Sequence, residues 1–255
     1  PAPLGYEDAA RQSLETPKDL AALGGSTEQH LPGYLGMIRR LDEAFGRLAE
    51  ALHSLNLLDD TIILFTSDHG CHFKTRNGEY KRSCHEASIR VPTLLHGPGL
   101  TTGRTYDGLV SLIDLPPTLL DAAGLPVPGT MQGMSILEMI RDPLLAPDEV
   151  LIQVSESHVA RALRTRRWKY EVEAPGADGW NDMGSLRYVE ALLYDLESDP
   201  HELTNIIATP EHAQVRAELR QRLIAKIVAA GEDPPEIITY EDLGTDSDHP
   251  SRQRA

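Results

Sequence analysis

The run Thr61-Ile-Ile-Leu-Phe-Thr66 has no polar alternation, and it follows a stretch in which Leu35, Ile38, Leu41, Phe45, Leu48, Leu52 and Leu55 recur at helical spacing. An unbroken apolar run of this length fits a parallel strand buried on both sides. The repeat before it fits one face of a long amphipathic helix beginning at Pro32, a face expected to be core. Asp59 and Asp60 make the turn between the two. A second apolar run, Val91–Leu95, completes helix, strand, loop, strand, the arithmetic of an α/β fold with a mostly parallel sheet flanked by helices. Asp114-Leu-Pro-Pro-Thr118 opens another helix that ends near Gly124. A loop over Pro126–Gly133 and a short helix over Ser135–Ile140 follow.

After Pro147 the texture changes. Short strands are expected over Val150–Val154, Ala160–Thr165, Trp168–Val172 and Leu192–Leu196, then a helix over Glu211–Ala230. That pattern is a small antiparallel sheet with a covering helix. The organisation read from the sequence is therefore an α/β portion over 1–147, an antiparallel subdomain over 148–232, and a tail over 233–255 that is mobile at its end. Residues 1–31 read as an irregular approach with a short helix at Thr16–Leu23, and no internal repeat is evident.

Charge narrows the partners. The 255 residues carry a formal net charge of -15, which argues against nucleic acid and anionic membranes, since both are bound through basic surfaces. Between residues 72 and 90 the balance reverses: Lys74, Arg76, Lys81, Arg82 and Arg90 stand against Glu79 and Glu86. An anion would bind there. Two cysteines make no disulfide framework, and no run approaches the roughly 18 apolar residues of a membrane span. The chain begins with Pro and reads as a fragment. The lack of a signal peptide therefore leaves a cytoplasmic or a periplasmic or secreted location equally open.

The positive island holds two possible sites. One is a soft-metal site built from Cys71, His72, Cys84 and His85; the other is a hard-cation and anion site built from Asp68, His69 and Lys81. Adjacent Cys-His pairs do not present two ligands from one tight turn as zinc sites do, so the thiols read as packing. Asp68 and His69 follow the carboxyl end of a strand, where open α/β sheets place ligands. A carboxylate and an imidazole suit Ca²⁺ or Mn²⁺. On spacing alone, Asp-His-Gly as a strand-ending turn stays open.

Resemblance adds to this reading. "TIILFTSDHG", Lys81 five residues before Glu86, and "ASIRVPTLLHGPG" together resemble the second signature of the sulfatase family, within the alkaline phosphatase superfamily. "YLGMIRRLDEAFGRLAEALHSLNLLDD" resembles the preceding helix of that family, and "VSLIDLPPTLLDAAGLPVPGTMQGMSIL" the following segment. "RALRTRRWKY" and "LYDLESDPHELTNI" resemble its C-terminal subdomain, so the likeness runs from about residue 32 to about residue 230.

The resemblance implies that Asp68 and His69 are metal ligands, Ca²⁺ first and Mn²⁺ second, and that Lys81 is the catalytic residue that contacts the sulfate. His72, Arg76, Asn77 and His85 are candidates for binding the rest of a sulfated small molecule or sugar; His85 could instead pack. Arg90 is expected to pair with a carboxylate such as Glu86. The family's Cys-x-Pro-x-Arg or Ser-x-Pro-x-Arg motif, source of the formylglycine nucleophile, is not in these residues, nor are its two further Asp ligands. Three readings follow: a sulfuric ester hydrolase seen without its N-terminal half and inactive alone, a phosphonate monoester or phosphodiester hydrolase, and a truncated binding or structural domain.

Overall fold

The computed structural model describes residues 16–100 and 103–243; the expected mobile end of the tail and most of the N-terminal approach lie outside them. The short helix expected near Thr16–Leu23 is α1, Lys18–Ala21, and the long helix is α2, Thr27–Ser54. α2 starts five residues ahead of Pro32, which sits inside it near the N-terminus. Pro32 has no N–H to give the Glu28 carbonyl, so the helix forgoes one i→i−4 hydrogen bond near its start. Then come β1 (Ile63–Phe65), α3 (Glu86–Ile89), β2 (Leu94–His96), α4 (Leu115–Ala122) and α5 (Ile136–Arg141). Ser135 caps α5 by accepting from the N–H of Leu137.

β1 and β2 share a sheet, as expected, but they pair antiparallel, with Leu64 opposite Leu95. The expectation of a parallel pair buried on both sides is corrected on both counts: Phe65 and Leu94 are exposed. An apolar run encodes what its side chains need, and carries no information about strand direction. The face of α2 expected to be core is corrected likewise. Leu41, Leu48 and Leu55 are each more than half exposed. A helix of 28 residues extends about 42 Å, whereas β1 is three residues long and meets it mainly where Phe45 packs edge-on against Phe65.

The C-terminal portion forms largely as read, with the strand expected from Leu192 beginning five residues earlier, at Arg187, and with one addition. β3 (Glu149–Val154), β4 (Ala160–Thr165), β5 (Trp168–Glu173) and β6 (Arg187–Asp195) make an antiparallel meander, and α6 (Ala213–Ala229) covers it. The addition is β7, Glu236–Ile238, which pairs parallel with β6 inside the stretch expected to be tail. Leu219, Leu223 and Ile227 of α6 are fully buried against Leu163 of β4, Tyr170 and Val172 of β5 and Leu193 of β6. At about 1.5–3 kcal/mol for each such side chain, this face outweighs any difference in helix propensity and seats the helix.

The opposite face of the sheet is polar where it meets the earlier part of the chain. Side chains alternate along a strand, so Lys169, Glu171 and Glu173 of β5 share the face that Tyr170 and Val172 avoid. All three are buried.

Candidate functional site

β1 delivers Ser67-Asp68-His69-Gly70 at its carboxyl end. The Ser67 hydroxyl donates to the His69 carbonyl at 2.8 Å and the His69 N–H donates to Asp68 Oδ1 at 2.9 Å, which closes a tight turn. Gly70 N–H then donates to the Ser88 carbonyl of α3 at 2.7 Å. A Cβ at position 70 would lie 2.1 Å from the Ala87 carbonyl oxygen, so this approach requires glycine. The turn is thereby clamped onto α3.

The ring of His69 has a defined tautomer. Its Nδ1 lies 2.8 Å from the Gly70 carbonyl oxygen, which can only accept, so Nδ1 carries the proton and Nε2 keeps its lone pair. Lys81 Nζ donates to that lone pair at 2.8 Å. Asp68 Oδ2 stands 3.3 Å from the same Nε2. Burial is the largest single influence on the Asp68 carboxyl and acts upward, but the His69 ring, local N–H donors and Lys81 together hold it below the usual carboxylate range. The three side chains converge: an ionised carboxylate, an imidazole lone pair, and an ammonium standing against that lone pair. This donor pair fits a hard divalent cation, and the ammonium already occupies a cationic position beside it.

The segment between them is a folded loop. His72 N–H donates to the Tyr80 carbonyl at 2.7 Å and Thr75 N–H to that of His72 at 2.9 Å, across Phe73 and Lys74 at φ 51° and 62°. A left-handed pair of residues with side chains is costly, and it is held by the Ser26 N–H and hydroxyl, both on the Phe73 carbonyl. Asn77 bridges the loop, donating to the Arg82 carbonyl and accepting from Glu79 N–H, both at 2.8 Å. Arg76 reaches out of it to the carbonyls of His201 and Glu202, at 2.7 and 2.6 Å.

His72, Arg76, Asn77 and His85 therefore fasten the loop, and none of them lines the groove that holds Asp68, His69 and Lys81. His72 is fully buried with no hydrogen-bond partner on either ring nitrogen, and burial pushes its pKa down to about 4. His85 is buried against Tyr194, with Nε2 3.1 Å from the phenol oxygen, and burial drives its pKa well below the ordinary value. The soft-metal quartet does not assemble: among the described residues, the metal-sized gathering of three such side chains is His158, Glu171 and Glu173, and it contains none of the four.

Sequence reasoning missed what seats α3. Glu86 pairs with Lys169 Nζ at 2.7 Å and with Arg164 at 3.3 Å, not with Arg90. Lys169, fully buried, also holds Glu202 at 2.5 Å, and Glu202 in turn accepts from the Glu86 N–H at 2.7 Å. Burial alone would raise the Glu86 carboxyl, but Lys169 and Arg164 outweigh it and lower its pKa; in Glu202 burial wins and the pKa rises. The available signal was Lys169-x-Glu171-x-Glu173, charges at same-face positions of a strand whose other face is core.

The groove has a volume of about 1650 Å³ and is lined by Asp68, His69, Lys81 and Arg82 together with apolar side chains such as Leu95 and Ile136. Arg82 is braced by Glu79, by Glu156 and by the Trp180 ring.

The Sulfatase family model matches residues 3–125, and Arylsulfatase K of Mus musculus is 35% identical over 201 residues. The chain belongs to the sulfatase family. The match to Arylsulfatase K covers 74% of this chain but 34% of the relative, so the chain spans about a third of that protein's length. BT4656, solved with its substrate D-glucosamine-2-N,6-O-disulfate, is similar at 26% identity and TM-score 0.64 over 89% of this chain and 46% of its own. The phosphonate monoester hydrolase of Agrobacterium radiobacter is similar at 26% identity and TM-score 0.64 over 78% and 41%. The sulfatase fold of this chain, read from the Asp-His signature and its flanks, is borne out. The family match also takes in residues 3–31, which the sequence reading left without a role.

Proposed function

We propose that the protein to which this sulfatase chain belongs is a sulfuric ester hydrolase acting on a sulfated sugar or small molecule with the help of a divalent cation, Ca²⁺ ahead of Mn²⁺. The convergence of Asp68, His69 and Lys81 carries the reading. Asp68 Oδ2 and His69 Nε2 are the groups that would hold the cation, which when bound supplies Lewis-acid charge to the sulfuryl oxygens. Lys81 would then turn its ammonium from the imidazole to a sulfate oxygen, where it offsets the charge that builds as the ester bond breaks. The nucleophile, formylglycine in this family, would come from residues outside these 255, so the chain alone is expected to be inactive. The substrate of BT4656 is the observation that favours a sulfated sugar.

The decisive experiment is hydrolysis of a chromogenic aryl sulfate and a chromogenic phosphonate monoester by the protein that includes the preceding coding sequence. Sulfate turnover at least ~10-fold above phosphonate turnover, lost in Asp68→Ala and Lys81→Ala, supports the proposal. A preference for the phosphonate favours the second reading, which rests on the Agrobacterium radiobacter hydrolase. No turnover of either ester by protein carrying Cys-x-Pro-x-Arg would leave a binding or structural role.

A further inference from the structure

A second set of ligating side chains lies away from the groove. Glu171 and Glu173 project from one face of β5, both buried, and His158 stands just ahead of β4. The register places Ala162 opposite Glu171 and Ala160 opposite Glu173, so the neighbouring strand offers methyl groups where larger side chains would fill the space. His158 Nε2 is 3.9 Å from Glu171 Oε1 and 3.5 Å from Glu173 Oε1. One ligand atom from each of the three residues lies within 4.8 Å of the others.

The hydrogen bonds behind His158 decide what its Nε2 presents. The Ser157 hydroxyl has one proton and gives it to the Arg82 carbonyl at 3.0 Å. Its oxygen, 2.8 Å from His158 Nδ1, must therefore accept from that nitrogen. Nδ1 carries the proton, and in the neutral ring the Nε2 lone pair points toward two carboxylate oxygens. This is the arrangement of metal-binding histidines, whose second nitrogen donates to an outer partner that fixes the ring.

From this geometry we infer that His158, Glu171 and Glu173 form a second divalent-metal site, structural in role, with Zn²⁺ the best match to one imidazole and two carboxylates. Donors about 2.0–2.2 Å from a zinc ion stand roughly 3.4 Å apart at tetrahedral angles, close to the separations here. None of the three residues lines the groove. Through Ser157 and the Arg82 carbonyl the site would tie β5 to the residue that follows Lys81.

The test is equilibrium dialysis of the tag-free, chelator-stripped chain against Zn²⁺, read by elemental analysis, with Co²⁺ absorption as a second probe. One Zn²⁺ per chain is expected in the unaltered protein and in Asp68→Ala, which removes a ligand of the other site. Glu173→Gln keeps the shape and removes the charge, and should lose the bound ion; Ser157→Ala, which frees the His158 ring, should weaken binding by roughly 10–100-fold. Circular dichroism establishes that each variant is folded, and His158→Gln replaces Glu173→Gln should that variant fail. Zinc bound equally by the folded variants, or absent from the unaltered chain, would overturn the inference.

Discussion

Lys81 Nζ and His69 Nε2 are 2.8 Å apart, and the Gly70 carbonyl on the other ring nitrogen makes the lysine the donor. The ammonium therefore competes with any metal for the lone pair. Lys81→Met should raise the affinity of the chain for Mn²⁺, and Asp68→Ala should lower it; isothermal titration reads both. In the full protein the same lysine change should cut turnover by ~10²-fold or more. Equal or weaker Mn²⁺ binding by Lys81→Met would mean that His69 is not a ligand.

Gly70→Ala tests the clamp between the Asp-His turn and α3. The added methyl meets the backbone oxygen of Ala87, which cannot rotate aside, so a loss of about 1–3 kcal/mol is expected. Urea denaturation measures it, and a stability unchanged within error would show that the turn does not rest on α3.

Lys169→Met removes the one cation shared by Glu86 and Glu202 and leaves two carboxylates in a buried place. A cost of about 3–5 kcal/mol is expected. Adding Glu202→Gln should recover part of it, because one buried charge goes with its partner. If the double variant is no more stable than the single, the charges are not what holds the junction.

The buried ring of His72 predicts an acid limb. Its folded pKa is about 4 against an ordinary 6.5, so on acidification the unfolded chain takes up this proton first. The stability tied to the neutral ring is complete above pH 6.5 and disappears as pH falls toward 4, on the order of 3 kcal/mol in all. His72→Leu should flatten stability against pH across that window by nearly one proton; a slope equal to the parent's would place the titration elsewhere.

The C-terminal sheet was legible because its strands are short and bounded by turn residues, and Ala160–Thr165 was read to the residue. The partnership of β1 with β2 was legible too, while its direction was not. β7 was hidden behind Pro234-Pro235 in a polar stretch, and three residues are too few for periodicity to register. A strand end, a local reversal of charge and the family resemblance single out Asp68, His69 and Lys81 in the sequence, and the structure brings the three side chains together. Lys169 and Glu202 could not be found that way, since what makes them matter is their separation of 33 residues collapsing to 2.5 Å. Nothing local in the sequence announces such a contact.

Lys169 and Arg76 reach across the junction in opposite directions, one from β5 to α3 and the other from the loop before Lys81 to the backbone at 201–202. A graft cut near residue 147 that imports a foreign antiparallel sheet must bring a lysine and a glutamate in register, or α3 loses its seat and the Asp68 turn loses its rest. The strands of this sheet can therefore change only together with the short helix that they seat.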